Sequence, residues 1–243
     1  MRLHYLQHVA FEDAANIARW AAERGHALSR TLLYADEPLP AHDAYDALAV
    51  MGGPMNIYQH DLHPWLAAEK EFLRGAIGRR KFVLGVCLGA QLLADVLGGP
   101  VTQNPAKEIG WFPVRKTPQA AQSPLFDVLP PEFTPFHWHG DTFAIPPGAL
   151  HAASSEGCAQ QAFQFTDRVV GLQFHLDYSV SAIERMVAHC GDELHQDHEG
   201  PWVETSPERL ASAADVQAAE ELLYRFLDAW SAATDASHAA GVA

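Results

Sequence analysis

Basic residues are scarce in this chain. Against 30 Asp and Glu it sets only 16 Lys and Arg, a net charge of −14 over 243 residues with histidine neutral. That balance excludes the broad basic footprint that nucleic acid or an anionic membrane surface needs, while leaving room for a small charged ligand in a locally positive pocket. Cysteine is equally sparse. The three thiols, Cys87, Cys158 and Cys190, cannot all pair, and their scatter builds no disulfide framework, which fits a reducing compartment. No apolar run is long enough to span a bilayer. The opening Met1-Arg2-Leu3-His4-Tyr5-Leu6 has no apolar leader core with a small-residue cleavage site, so a cytoplasmic protein is expected. Walker and dinucleotide-binding motifs, internal repeats and heptads are also missing.

What is present is a regular alternation of strand and helix patterns. Strands are expected at Leu3–Val9, Leu28–Tyr34, Ala47–Met51 and Phe82–Val86. Between them fall helix patterns: Asp13–Arg24, apolar at Ile17 and Trp20–Ala21; Trp65–Arg79, with Glu69 and Glu71 early and Arg74 and Arg79 late, as the helix dipole prefers; and Leu88–Leu97. This order predicts an α/β fold with a doubly wound, mostly parallel sheet flanked by helices, and ligands on such a sheet bind beyond the carboxyl ends of its strands. After Gly99 the texture turns to proline, glycine, aromatics and short β-like runs (Trp111–Val114, Thr142–Ile145, Gln161–Phe165), an additional β-rich segment that returns to the main sheet at Val169–His175. Helices are expected at Ser179–His189 and Asp215–Trp230. One domain over residues 1–234 with a fraying tail at 235–243 is the expected organisation.

Three segments carry chemistry. Gly85-Val-Cys87-Leu-Gly89-Ala-Gln91 places a cysteine where a buried strand turns sharply into a helix, the arrangement of a nucleophile elbow. The strain of such a turn exposes the side chain above the sheet, at a helix N-terminus that favours thiolate. A small cysteine filling a tight junction is the plainer alternative. Val169-Val-Gly-Leu-Gln-Phe-His175-Leu-Asp177 ends a strand in a histidine and an aspartate two residues apart, on one face, so that Asp177 can orient the His175 ring while its other nitrogen faces the thiol; two solvated polar residues at a strand end are the plainer alternative. Gly52-Gly53-Pro54 ends another strand in glycines that can present bare backbone N–H groups to an oxyanion, with the Leu88 N–H as a second donor, each worth about 3–4 kcal/mol in a transition state; a plain tight turn is the alternative. The histidines and acids at His189, Cys190, Asp192, Glu193, His195, Asp197 and His198 match no closed zinc spacing, and no metal or cofactor is expected.

Taken together, in this order and spacing from about residue 45 to 178, these motifs resemble the class I, or triad, glutamine amidotransferases. His137-Trp138-His139-Gly140-Asp141 is similar to a segment of the amidotransferase domain of GMP synthetase, and Lys107-Glu-Ile-Gly-Trp-Phe-Pro113 and Phe136–Phe143 resemble stand-alone proteins of that type. The resemblance implies a flavodoxin-like fold and a γ-glutamyl thioester on Cys87, with His175 and Asp177 completing the triad and Gly53 and Leu88 the oxyanion hole. It also implies substrate binding by Gly52, Gln91, Trp138, His139 and Asp141, with Asp141 facing an ammonium. Its ligand would be glutamine or another γ-glutamyl small molecule, and its partner a separate ammonia-accepting synthetase. Two departures stand out. The usual His-Pro-Glu is His175-Leu176-Asp177, which shortens the carboxylate's reach by about 1.5 Å. Trp138 replaces a small serine and is expected to narrow the pocket or to suit a different γ-glutamyl compound. A glutaminase subunit, a stand-alone γ-glutamyl hydrolase and a non-catalytic binding protein all remain open at this point, as does the oligomeric state.

Overall fold

A computed structural model describes the backbone of residues 1–194 and 200–241 and the side chains of residues 1–194 and 200–234. Its first half is the expected alternation: β1 (Arg2–Gln7), α1 (Ala15–Glu23), β2 (Ala27–Leu32), β3 (Ala47–Val50), α2 (Trp65–Gly78), β4 (Phe82–Val86) and α3 (Leu88–Val96). A β-rich excursion follows, with β5 (Val101–Trp111), β6 (Val114–Lys116), the short helix α4 (Pro124–Asp127), β7 (Glu132–Phe133), β8 (Phe136–Phe143), β9 (Leu150–Ser154) and β10 (Ala162–Phe165). β11 (Val169–Leu172) closes it, and α5 (Val180–Cys190), the short α6 (Pro207–Leu210) and α7 (Ala213–Gly241) complete the chain.

The main sheet runs β2-β1-β3-β4-β11-β10-β9-β6-β7. Its β2-β1-β3-β4-β11 half is parallel; β10, β9, β6 and β7 extend it antiparallel. The central strands β3, β4 and β11 are buried along their whole length, which is why they read as unbroken apolar runs rather than alternating ones. Alternate residues nevertheless sort to two layers. Leu3, Ala47, Ala49, Leu84 and Val170 pack beneath α1 and α7. Leu6, Leu48, Val50 and Val83 pack against α2 and α3. In α1 the predicted apolar stripe Ile17, Trp20 and Ala21 is the buried one.

The sequence pattern missed the pairing of β5 with β8 as a separate two-stranded antiparallel sheet. Pro105 and the register shift between Gln103 and Glu108 interrupt any alternation along β5. That strand pair, with α5 and α6, forms a third apolar cluster around Ile109, Phe136, Trp138, Ile183 and Leu210. It stands over the carboxyl ends of β3 and β4, and α3 and β8 touch directly. The last helix is longer than its apolar face required, continuing to Gly241. No helix among the described residues is long and apolar enough to cross a membrane.

Candidate active site

Cys87 sits between β4 and α3 with φ 52° and ψ −108°, a backbone conformation that side-chain-bearing residues rarely adopt. Two glycines make the turn sterically feasible. A Cβ on Gly89 would lie 2.0 Å from the Val50 carbonyl oxygen, and one on Gly85 would lie 2.5 Å from that of Gly89. The helix therefore seats on the sheet at a separation that only hydrogen at both positions allows. Register pins the rest: the Cys87 N–H donates to Leu172 O at 2.8 Å, tying the elbow to β11. The thiol is 6% exposed, with Trp138 O and Gln173 Nε2 each 3.7 Å from Sγ.

His175 lies just past β11. Its backbone exchanges hydrogen bonds with Phe136 at the start of β8, 2.8 and 3.0 Å. Its ring is buried, stacked on Tyr178 at 4.0 Å between centroids, and its Nδ1 is 3.1 Å from Asp177 Oδ1. The α1 N-terminus locks this stretch, since Asn16 N–H donates to Asp177 O and Asn16 Nδ2 to Tyr178 O. Nε2 makes no conventional hydrogen bond, and it faces the thiol side. Burial, the largest influence, works against charge on His175, but Asp177 and then Cys87 reverse it, and the pKa is raised well above 6.5. The imidazole, its aspartate and the sulfur are thus brought into one electrostatic unit, and the shorter carboxylate reaches the ring directly.

Three further ionisable residues beneath this unit were not singled out for the site by the sequence. Glu12, fully buried, accepts a 2.7 Å hydrogen bond from Tyr178 Oη. A Cβ on Gly52 would lie 1.9 Å from Glu12 Oε1 and 3.2 Å from His175 Cε1, so the bare Gly52 leaves space for a second carboxyl near the imidazole. Burial raises the Glu12 pKa, opposed by the neighbouring His175. His8, at the end of β1, bonds Gly52 O through Nδ1 and Glu69 Oε1 through Nε2, both at 2.9 Å, with both side chains wholly buried. Glu69 therefore faces inward from α2 toward this histidine rather than serving the helix dipole at the surface.

A cavity of about 210 Å³ opens over the thiol. Gly53, Cys87, Gln91, Trp138, His139 and Asp141 line it, so six of the ten expected site residues meet there. Gln91 Nε2 is 3.2 Å from Gln173 Oε1. Asp141 accepts from Asn56 Nδ2 at 2.6 Å, and burial raises its pKa. Leu88 opens α3, so its N–H is among the first-turn donors that have no partner within the helix, and its side chain lies 3.0 Å from where a Gly53 Cβ would be. Gly52 lies beneath the cavity beside Glu12 and His175 rather than in its lining. Trp138 packs its indole into the cluster with Phe136 and Tyr178 while bounding the cavity. Lys107, on β5 and first in the Lys107–Pro113 segment, also lines the cavity and is ion-paired with Glu193 at its rim, a placement the sequence did not assign to it.

Glu108, His137 and His139 bring donor atoms within 4.8 Å of one another, close enough to hold a metal ion. Glu108 is already engaged by Ser155 Oγ at 2.7 Å, Gln161 Nε2 at 2.7 Å and His139 Nε2 at 2.9 Å, and burial pushes His137 down to about 4. Ser155 and Gln161 thus hold the Glu108 carboxylate by hydrogen bonds beside the cavity that His139 lines. Cys158 is buried against Thr142, and Cys190 is half-buried with a pKa pushed up to about 11, first by burial. The residues at His195, Asp197 and His198 fall outside the described residues.

The family model for glutamine amidotransferase class-I matches residues 13–190. Protein YfeJ of Salmonella typhimurium, glutamine amidotransferase-like by its name, is 35% identical over 232 residues, covering 94% of this chain and 96% of that protein. The glutamine-hydrolysing GMP synthase of Thermomicrobium roseum is 35% identical over 138 residues, 55% of this chain but only 24% of that protein. Among solved structures, a glutamine amidotransferase from Thermotoga maritima superposes with a TM-score of 0.84 at 28% identity, covering 94% of this chain and 96% of the other. A glutamine amidotransferase from Methylobacillus flagellatus gives 0.87 at 29%, covering 96% and 94%.

Proposed function

The chain belongs to the class I glutamine amidotransferase family, and from that premise we propose that it hydrolyses the side-chain amide of glutamine through a γ-glutamyl thioester on Cys87. The observation that carries this reading is the strained, cavity-facing Cys87 coupled to a His175 whose Nδ1 is already bonded to Asp177. His175 Nε2 takes the thiol proton, and the sulfur attacks the amide carbonyl. The Gly53 and Leu88 N–H groups hold the oxyanion. The imidazolium then returns its proton to the leaving nitrogen, and ammonia departs. Water, deprotonated by His175, opens the thioester, releasing glutamate and restoring the thiol. Asp177 fixes the tautomer that points Nε2 at sulfur and opposes the positive charge formed in each half-reaction.

The ends of an α-amino acid fit the charges around the cavity. Asp141 meets the ammonium, Lys107 is the donor for the α-carboxylate, and Gln91 bounds the amide end. The cavity is smaller than the roughly 300–1,000 Å³ of pockets for drug-sized ligands, which favours glutamine over an extended γ-glutamyl peptide. The Thermomicrobium roseum synthase it matches extends far beyond the matched region, and we propose a separate ammonia-accepting synthetase as the partner on this reading.

The test is ammonia and glutamate release from a panel of glutamine and γ-glutamyl dipeptides, with Cys87→Ser as control. Thiol-dependent cleavage of glutamine supports the proposal. Cleavage confined to dipeptides replaces it with a γ-glutamyl peptidase, and binding without turnover replaces it with a regulatory role. Asp177→Asn is expected to lower kcat about a hundredfold or more with KM little changed, because the substitution removes orientation and charge without touching the substrate. It also lowers the His175 pKa. Because His175 must be neutral to take the thiol proton, the acidic limb of the pH–rate profile that it governs should therefore move to lower pH. An unchanged profile would assign Asp177 to structure alone.

A further inference from the structure

We propose that His8 and Glu69, buried outside the cavity, form a positioning pair that sets the oxyanion donor of Gly53. The proposal rests on the oxyanion-hole reading above. A carbonyl oxygen can only accept, so the 2.9 Å contact between His8 Nδ1 and Gly52 O requires the proton on Nδ1. The 52–53 peptide is trans and planar, so its C=O and N–H point in opposite directions. Holding the Gly52 oxygen toward His8 therefore turns the Gly53 N–H away from it. Gly53 lines the cavity and His8 does not, so away from His8 is the cavity side.

Nothing intrinsic to Gly52-Gly53 would hold this peptide in place. Paired glycines have the softest backbone in the chain, and a flipped peptide would present a carbonyl oxygen to the developing negative charge. The histidine has no freedom of its own. Its Nε2 is tied to Glu69 Oε1 at 2.9 Å, its ring leans on Trp65 at 5.4 Å between centroids, and its Cβ would be 3.1 Å from a Cβ on Gly53. Glu69 is held in turn by α2, whose Leu66, Phe72 and Leu73 anchor it in the core. The chain of positioning runs from α2 through Glu69 and His8 to the Gly52 carbonyl and so to the Gly53 donor. Two side chains from distant segments thereby control one N–H without touching substrate.

The experiment compares His8→Leu, which removes the donor, with His8→Asn, whose side-chain amide can place a donor near the position of Nδ1. Glutamine turnover and alkylation of Cys87 by iodoacetamide are measured on both. Alkylation needs the sulfur but develops no oxyanion, so it separates this role from general disruption. His8→Leu is expected to lower kcat about 30- to 300-fold with KM within about threefold, comparable to losing one oxyanion donor. Alkylation should stay within about twofold of the parent, and His8→Asn should recover kcat to within about tenfold. If His8→Leu does not fold, Glu69→Leu, which frees the histidine while leaving it in place, should show the same kcat-selective loss at about three- to tenfold. The proposal is overturned if kcat is unaffected, if turnover and alkylation fall together, or if the asparagine variant is no better than the leucine. Absence of turnover in the parent protein would instead refute the amidase reading itself.

Discussion

Cys87→Ala should abolish ammonia release from glutamine, with kcat falling about 10⁴- to 10⁶-fold while the protein stays folded and still binds the amino acid. The magnitude follows from the role. Without a sulfur there is no acyl intermediate, and the remaining oxyanion donors and pocket supply only a residual acceleration over water. Folding should survive because the loss is one buried heavy atom, and alanine tolerates the positive φ no worse than cysteine does. The check is steady-state ammonia release together with calorimetric titration of glutamine. Affinity within about threefold of the parent, alongside lost turnover, is the expected pattern. Residual turnover above about one per cent would move the nucleophile elsewhere.

Gly89→Ala is the second large effect, and it falls on stability. Its new Cβ would meet a backbone oxygen, Val50 O, at 2.0 Å, and Val50 Cβ at 3.0 Å. Neither can swing aside as a flexible side chain would, so α3 must lift from β3 and take the elbow with it. A loss of about 3–5 kcal/mol is expected, above the roughly 1–3 kcal/mol typical of overpacking because the obstructing atoms are backbone. Gly78→Ala provides the control. It sits at the end of α2, where a Cβ meets nothing within 4 Å, and it should be neutral or stabilise by up to about 1 kcal/mol. Urea unfolding of the two variants side by side reads the difference. Similar midpoints would mean that the helix is not seated as tightly on the sheet as this geometry requires.

The legible parts of this protein were the local ones. The elbow could be read because strand, turn and helix lie within about fifteen residues, and Gly85 is demanded by contact with Gly89 of that same unit, although Gly89 answers to Val50 on β3. His175 and Asp177 could be read because two-residue spacing carries one side chain to the other, even though β11 ends at Leu172 and the histidine is held instead by its bridge to Phe136. The proposed oxyanion donors Gly53 and Leu88 rest on the same local logic of strand and helix ends. Long-range features could not be read. Glu12, His8 and Glu69 come from three segments whose meeting depends on the packing of β1 and α2, and in one dimension Glu69 looks like an ordinary helix acid. Lys107 faces the cavity because β5 pairs with β8, and the proline and register shift on β5 disguise that pairing.

The account depends on Cys87 acting as a nucleophile toward a glutamine-shaped electrophile under the direction of His175. The most direct measurement is labelling with the diazoketone analogue of glutamine, followed by intact-mass and peptide mass spectrometry on the native protein and on His175→Asn. One adduct per chain, on Cys87, blocked by excess glutamine and formed at least about a hundredfold more slowly in the variant, is the predicted result. An adduct on Cys158 or Cys190, or labelling of Cys87 that is indifferent to both glutamine and His175, would contradict it.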